Sequence, residues 1–223
     1  MIPPLASVAL IVVCGITCGC IAADEQSIAV NTTVPLERGW EQATVAILEQ
    51  YMLIRANPET YNKFNGSVVS PEPAILLDSN GHPLYYRYYV QKNGENICAV
   101  QVSANKLLGT TVIRIGDFGF RGGDESMNIT ITGSDPGGAE TEFACATPIP
   151  LYGDKYARLM LDCWEAEDAY AQNVMRDAEN TGIDLSTPLS EEDQEVIREI
   201  LWEEIKQREQ RIREIEGKYR VNL

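Results

Sequence analysis

Histidine is all but missing from this sequence: His82 is the only one in 223 residues. Any Ser–His or Cys–His nucleophilic centre would have to use it. It falls in an expected hairpin turn directly before Pro83, with no orienting carboxylate evident, and so reads as a turn residue. No Gly-x-Ser-x-Gly elbow is present. Basic residues are scarce, 18 Lys and Arg against 33 Asp and Glu, for a net charge of −15. That balance speaks against nucleic acid, where Lys and Arg must replace phosphate counterions, and against adsorption to an anionic membrane surface. Metal-ligating patterns are lacking too. Cys98, Cys145 and Cys163 are widely spaced and do not build a zinc cage with one histidine. Asp78-Ser79-Asn80 begins like a calcium loop, but Pro83 stands where that loop needs glycine. Asp117-Phe118-Gly119 repeats a kinase triplet without its catalytic loop, and Gly122-Gly123 and Gly137-Gly138 lack the Lys-Ser/Thr of a phosphate loop. No cofactor or metal is expected, and the chain reads as non-catalytic.

What is present starts with an uncharged run. From Leu5 to Ala23 no charged residue occurs, and Asp24 and Glu25 follow at once. Such a run gains transfer energy in a bilayer, and the acidic flank fits translocation of all that follows. Residues 1–23 are therefore expected to be a signal or anchor segment, and the rest to lie outside the cytoplasmic membrane, secreted or in the cell envelope. Membrane contact is expected only through that segment. Thr17-Cys18-Gly19-Cys20 also resembles a lipoprotein processing site, which makes Cys20 a candidate lipidation residue.

An exported chain permits disulfides. Cys145, at the end of the strand-rich block, and Cys163, on a helical stripe, are the candidate pair, with Cys98 as a buried thiol; three free thiols are the alternative. Three Asn-x-Ser/Thr triplets, at Asn31, Asn65 and Asn128, are candidate glycan acceptors.

Residues 24–35 read as a flexible lead. The spacing of Trp40, Ala43, Ile47, Tyr51 and Ile54 predicts a helix over Leu36 to Ala56, ended by Asn57-Pro58. Strands are expected at Ala74–Asp78, Leu84–Val90, Ile97–Ala104 and Thr110–Ile115, then at Met127–Thr132 and Glu140–Ala146. Asn93-Gly94 is the strongest turn signal, since tight hairpins need positive φ. Short connections make the first four strands an antiparallel meander, which one preceding helix can cover. Alternation places Leu84, Tyr86 and Tyr88 on one face and Tyr85, Arg87 and Tyr89 on the other.

Past Pro148 and Pro150 two helices are expected, Asp154–Asn180 and Ser190–Tyr219. Tyr156, Leu159, Cys163, Tyr170 and Val174 form the stripe of the first; Ile197, Leu201, Ile205, Ile212 and Ile215 that of the second. Ser190 with Asp193 makes a capping box, and Glu204/Arg208, Glu209/Arg213 and Glu214/Lys218 are spaced for i,i+4 pairs. The expected fold is α+β: an N-terminal helix on an antiparallel meander over residues 36–150, then an antiparallel two-helix tail over 151–223. The tail's stripes should pack on each other or on the sheet.

The order of these elements carries a resemblance. Trp40-Glu41-Gln42-Ala43 leads into Leu77-Asp78-Ser79-Asn80-Gly81-His82-Pro83-Leu84-Tyr85-Tyr86, then Lys92-Asn93-Gly94, Ala99-Val100-Gln101-Val102-Ser103-Ala104 and Leu107-Leu108-Gly109. Residues 36–116 resemble the cystatin-like inhibitory pro-domains of secreted cysteine peptidases of the streptopain type. The resemblance implies a helix packed on a meander that blocks a peptidase cleft; here a helical pair follows instead of a peptidase domain. The functional expectation is an exported protein-binding module, peptidase-inhibitor-like, whose partner is an exported protein or peptidase. Tyr85, Arg87 and Tyr89 are its candidate contact patch, because Tyr and Arg are favoured at interfaces. Two alternatives stand beside it: a structural envelope protein self-associating through the Ile197–Ile215 stripe, and a hydrolase whose carboxylates meet only in three dimensions.

Overall fold

The computed structural model describes residues 32–53, 58–78, 80–116, 141–143 and 154–220, with backbone alone at 141–143 and 154–155. The architecture is α+β, and Thr32–Leu223 is one compact unit. The sheet is built from β1 (Val68–Val69), β2 (Ala74–Leu77), β3 (Pro83–Lys92), β4 (Glu95–Ser103), β5 (Val112–Gly116) and β6 (Thr141–Phe143). Its order is β5-β4-β3-β2-β6, with β1 also on β3. The first five strands pair antiparallel, as the meander requires; β6 adds parallel to β2, a pairing across some 65 residues that local pattern does not reveal. The expected strand at 127–132 lies outside the described residues.

β3 is the spine. Residues of β1 and β2 share one of its edges in succession, Val69 opposite Val90 and Ala74 opposite Arg87. Pro71 and Pro73 sit in the interruption, where a residue without N–H breaks the ladder. On the other edge β3 turns into β4 through Asn93 (φ 53°) and Gly94 (φ 81°). Both central residues at positive φ are the signature of the I′ hairpin, whose twist matches the strands.

The helix α1 (Leu36–Met52) covers one face of the sheet. It ends four residues before the expected Ala56, and Pro58 opens a second helix, α2 (Pro58–Phe64), which the sequence reading missed. Proline stops a helix in the residue before it, but its fixed φ and absent N–H also suit the first helical position. Tyr86 and Tyr88, on the inner face of β3, donate their hydroxyls to the carbonyls of Val34 and Leu36 at 2.7 and 2.5 Å. These bonds fix the start of α1, and Gly39 lets the helix lie directly on the two rings: a Cβ there would stand 2.7 Å from the Tyr88 hydroxyl.

Every residue of α1 from Arg38 onward is buried or half-buried. A helix on the outside of a fold keeps one wet face. α1 has none because α3 (Asp154–Asn180) and α4 (Glu191–Arg220) pack on its other side. Val45, Ile47, Tyr88, Val100, Trp164, Val174, Ile197 and Leu201 belong to one continuous core. The expected tail is therefore built into the same body as the sheet.

Both expected helices occur, with bounds within a residue, but the faces need correction. Tyr156 is 43 % exposed and does not belong to the buried stripe of α3, which runs through Trp164, Tyr170, Ala171, Val174 and Ala178. The Ser190–Asp193 capping box forms: Asp193 N–H donates to Ser190 Oγ at 3.1 Å and Ser190 N–H to Asp193 Oδ2 at 3.3 Å. Of the three i,i+4 pairs Glu209–Arg213 closes, at 3.5 Å. Arg208 reaches instead to Glu49 of α1 (2.9 Å), and Lys218 to Asp162 of α3 (2.7 Å). Each of these ion pairs joins two elements.

Candidate functional site

Among the described residues three regions gather the polar and aromatic side chains first considered for function. The first is the β3 row. Tyr85, Arg87 and Tyr89 do share the sheet face turned away from α1, as alternation predicts, but each is half-buried. Their cross-strand neighbours on that face, Leu76 beside Tyr85 and Ala74 beside Arg87, are only 4 % and 7 % exposed. Burial pushes the Tyr85 phenol above its ordinary range. The row is a partly covered strip, not the open aromatic face that the sequence suggested.

The second region is the β2–β3 turn. Asp78 Oδ1 accepts from the N–H groups of Asn80 (2.8 Å) and His82 (2.9 Å), the self-closing turn that Asp favours. These backbone donors, the His82 bond first, hold the Asp78 carboxyl below the usual carboxylate range. Asp78 Oδ2 lies 3.7 Å from His82 Nδ1, so the histidine does have a carboxylate beside it. The imidazole is exposed at the tip of a turn, and Ser79 of the same turn lies outside the described residues. The pair shapes a loop.

The third region is the helical layer. Gln42 of α1 donates to Asp168 of α3 at 2.7 Å, 126 residues away in sequence. Gln172 donates to the other Asp168 oxygen. Arg208 lies over the Tyr170 ring at 4.3 Å while bridging to Glu49. Glu204, 6 % exposed, accepts from Asn173 (2.7 Å) and Gln207 (3.1 Å). Burial, with the charge of Glu49 next in weight, drives the Tyr170 phenol well above its ordinary range. A polar cavity of about 260 Å³ opens beside Tyr170, Glu204 and Arg208. Asp168, Glu49 and Glu204 are all engaged as acceptors in joints between helices, so their chemistry here is cohesion. A larger groove, about 690 Å³, runs between the first half of α1, the end of α3 and the loop after it.

Other predicted site residues divide by position. Asn31, Asn128, Cys20 and Cys145 lie outside the described residues. Asn65 is half-buried, and its Oδ1 accepts from Gln194 Nε2 at 2.9 Å; Gln194 Oε1 accepts from the Tyr61 hydroxyl at 3.0 Å. That chain of amides ties α2 to the start of α4. Cys98 is a buried thiol and Cys163 a half-buried one. Burial first, then the nearby Glu167 and Asp162, raise the Cys163 thiol above its usual value, which keeps it protonated and a poor nucleophile. Among the described residues no group of three or more His, Cys, Asp or Glu could hold a metal ion. No helix among them is long and apolar enough to cross a membrane.

The sequence reading passed over Trp202. It is 52 % exposed on α4, next in sequence to the fully buried Leu201. One residue of helix turns the side chain about 100° away from the buried stripe. The signal was available: an indole outside the Ile197–Leu201–Ile205 register, on a helix otherwise faced with Glu, Arg and Lys.

The chain matches no known protein family, no curated protein and no solved structure.

Proposed function

We propose that this protein is an exported, non-catalytic module that binds another protein through the outer surface of its helical hairpin, with Trp202 as the anchor. The exposed indole of Trp202 carries the reading. An aromatic ring held on a rigid two-helix platform offers large contact area at little entropic cost, and Trp dominates measured binding hot spots. The β3 row is the second contact, engaged through Tyr85, Arg87 and Tyr89 where their edges reach solvent. A pro-domain-like inhibitory use of the helix-on-meander half belongs to the same reading, with an exported peptidase as partner. Self-association through the α4 stripe is the weaker alternative, since Ile197 and Leu201 are fully buried against this chain's own core.

Photo-crosslinking from positions beside Trp202, in cells expressing the full chain, tests the proposal. The expected result is a discrete adduct with an exported protein, lost in Trp202→Ala and reduced in the Arg87→Ala/Tyr89→Ala pair, at unchanged thermal midpoint. An adduct that persists in all three substitutions would remove both surfaces. Recovery of the intact chain in the cytoplasm would remove export, which rests on the uncharged Leu5–Ala23 run.

A further inference from the structure

We infer that the groove between α1 and the end of α3 is a docking site for a cationic polypeptide segment carrying a large apolar side chain. The inference rests on the protein-binding reading and names a second surface for it. Four apolar side chains line the groove, Trp40, Met175, Ile183 and Leu185, beside the amides of Gln172 and Asn173, and the Trp40 ring is held in place by its indole N–H donating to Val69 C=O at 3.0 Å. A volume of about 690 Å³ is within the range of sites that accept a few side chains.

The rim is acidic. Glu37, Glu41, Glu179 and Asp184 stand around it, against Arg38 and Arg176. Both arginines already have carboxylate partners: Arg38 Nη1 lies 2.7 Å from Glu41 Oε2, and Arg176 Nε 3.1 Å from Asp177 Oδ1. Glu37, Glu179 and Asp184 are left without an ion pair among the described residues. Asp184 is kept ionised, because the hydroxyl and N–H of Ser186 donate to it at 2.6 and 2.9 Å and hold its carboxyl below the ordinary range. A groove with an apolar patch, rimmed by carboxylates that have no ion pair among the described residues, fits an apolar anchor flanked by Lys or Arg. The net charge of −15 adds long-range attraction for the same partner and disfavours a second copy of this chain as the occupant.

The test uses the full-length protein and a fluorescent eight-residue peptide of alternating Lys and Leu, followed by anisotropy. A matched peptide of Glu and Leu and the polyamine spermine serve as comparisons. We expect the Lys/Leu peptide to bind, the Glu/Leu peptide not to, and added salt to weaken the complex. Glu37→Gln/Glu179→Gln/Asp184→Asn should weaken it at least about tenfold; each change keeps a side chain of the same shape. Glu72→Gln/Glu95→Gln/Glu216→Gln removes the same charge from exposed positions elsewhere and should weaken it less than about twofold. Met175→Gln, at a half-buried apolar position of the lining, should weaken the peptide severalfold and leave spermine unaffected. Equal loss in the two triple variants, or displacement of the peptide by spermine at equal charge, would reduce the effect to general acidity and overturn the groove. A dimer in sedimentation that the groove variants dissociate would replace the cationic occupant with a second copy. Either failure leaves the Trp202 crosslinking result standing or falling by itself.

Discussion

Replacing Gly39 with alanine tests how closely α1 lies on the sheet. In an open helix interior the change should stabilise, since alanine is favoured over glycine by about 1 kcal/mol. Here the new Cβ would stand 2.7 Å from the Tyr88 hydroxyl, 3.0 Å from Tyr86 Cδ2 and 3.1 Å from Tyr88 Cε2. Tyr88 is fully buried, so it has no solvent to swing into. Overpacking of this kind costs about 1–3 kcal/mol. Shifting the Tyr88 ring also breaks its bond to Leu36 C=O, worth about 1 kcal/mol. The net expectation is a loss of about 2 kcal/mol, roughly a 30-fold fall in the folding constant. Gly217, on α4 with nothing within 4 Å of its added Cβ, is the internal control, and Gly217→Ala should gain about 0.5–1 kcal/mol. Equilibrium urea unfolding measures both as shifts of midpoint at constant slope. Tyr88→Phe removes the nearest clashing atom, so Gly39→Ala should cost at least about 1 kcal/mol less in that background than in the native one. If Gly39→Ala is as stabilising as Gly217→Ala, the helix does not lie on the tyrosines as described.

The remaining predictions concern the joint between the halves and the buried phenols. Glu167 Oε2 accepts from Thr111 N–H (2.7 Å), Thr111 Oγ1 (3.0 Å) and Thr110 Oγ1 (3.1 Å), fastening α3 to the turn before β5. Glu167→Ala should cost about 2–3 kcal/mol and lower helix and tryptophan signals in one shared transition; a helical signal melting separately would show that α3 and α4 are an independent tail. Burial raises the phenols of Tyr51, Tyr88 and Tyr170 above their ordinary value. The unfolded chain then releases these protons from about pH 10 while the folded chain holds them, so the phenols' contribution to stability should be flat below that pH and fall steadily above it. Ionisation followed at 295 nm alongside urea midpoints checks this, and a single titration of all ten tyrosines without loss of midpoint would refute it.

Periodicity made the regular elements readable. β3 and its hairpin were legible because alternation and Asn93-Gly94 act within a few residues, and α3 and α4 because their stripes and the Ser190 cap do. Pro58 was read for what it forbids upstream, so α2 was missed. Pairings between distant segments left no local mark: β6 on β2, Arg208 to Glu49, Lys218 to Asp162. The candidate sites suffered most from this. Whether Tyr85, Arg87 and Tyr89 are open, whether Asn65 is engaged, and that Trp40 meets Ile183 across a groove depend on which surfaces face each other after packing.

The enclosure of α1 on all sides sets an order of events during synthesis. Its sheet-facing side meets β3 and β4 within about 60 residues of chain, but the side carrying Gln42 and Glu49 waits for partners 126 and 159 residues downstream. At a translation rate of about 5–20 residues per second, that delay is on the order of six to thirty seconds. Throughout it the nascent protein carries a helix whose second face is apolar, polar-seamed and wet. A chaperone arriving in that interval finds its binding surface ready on α1, and α3 and then α4, as they emerge and pack, are what take it away.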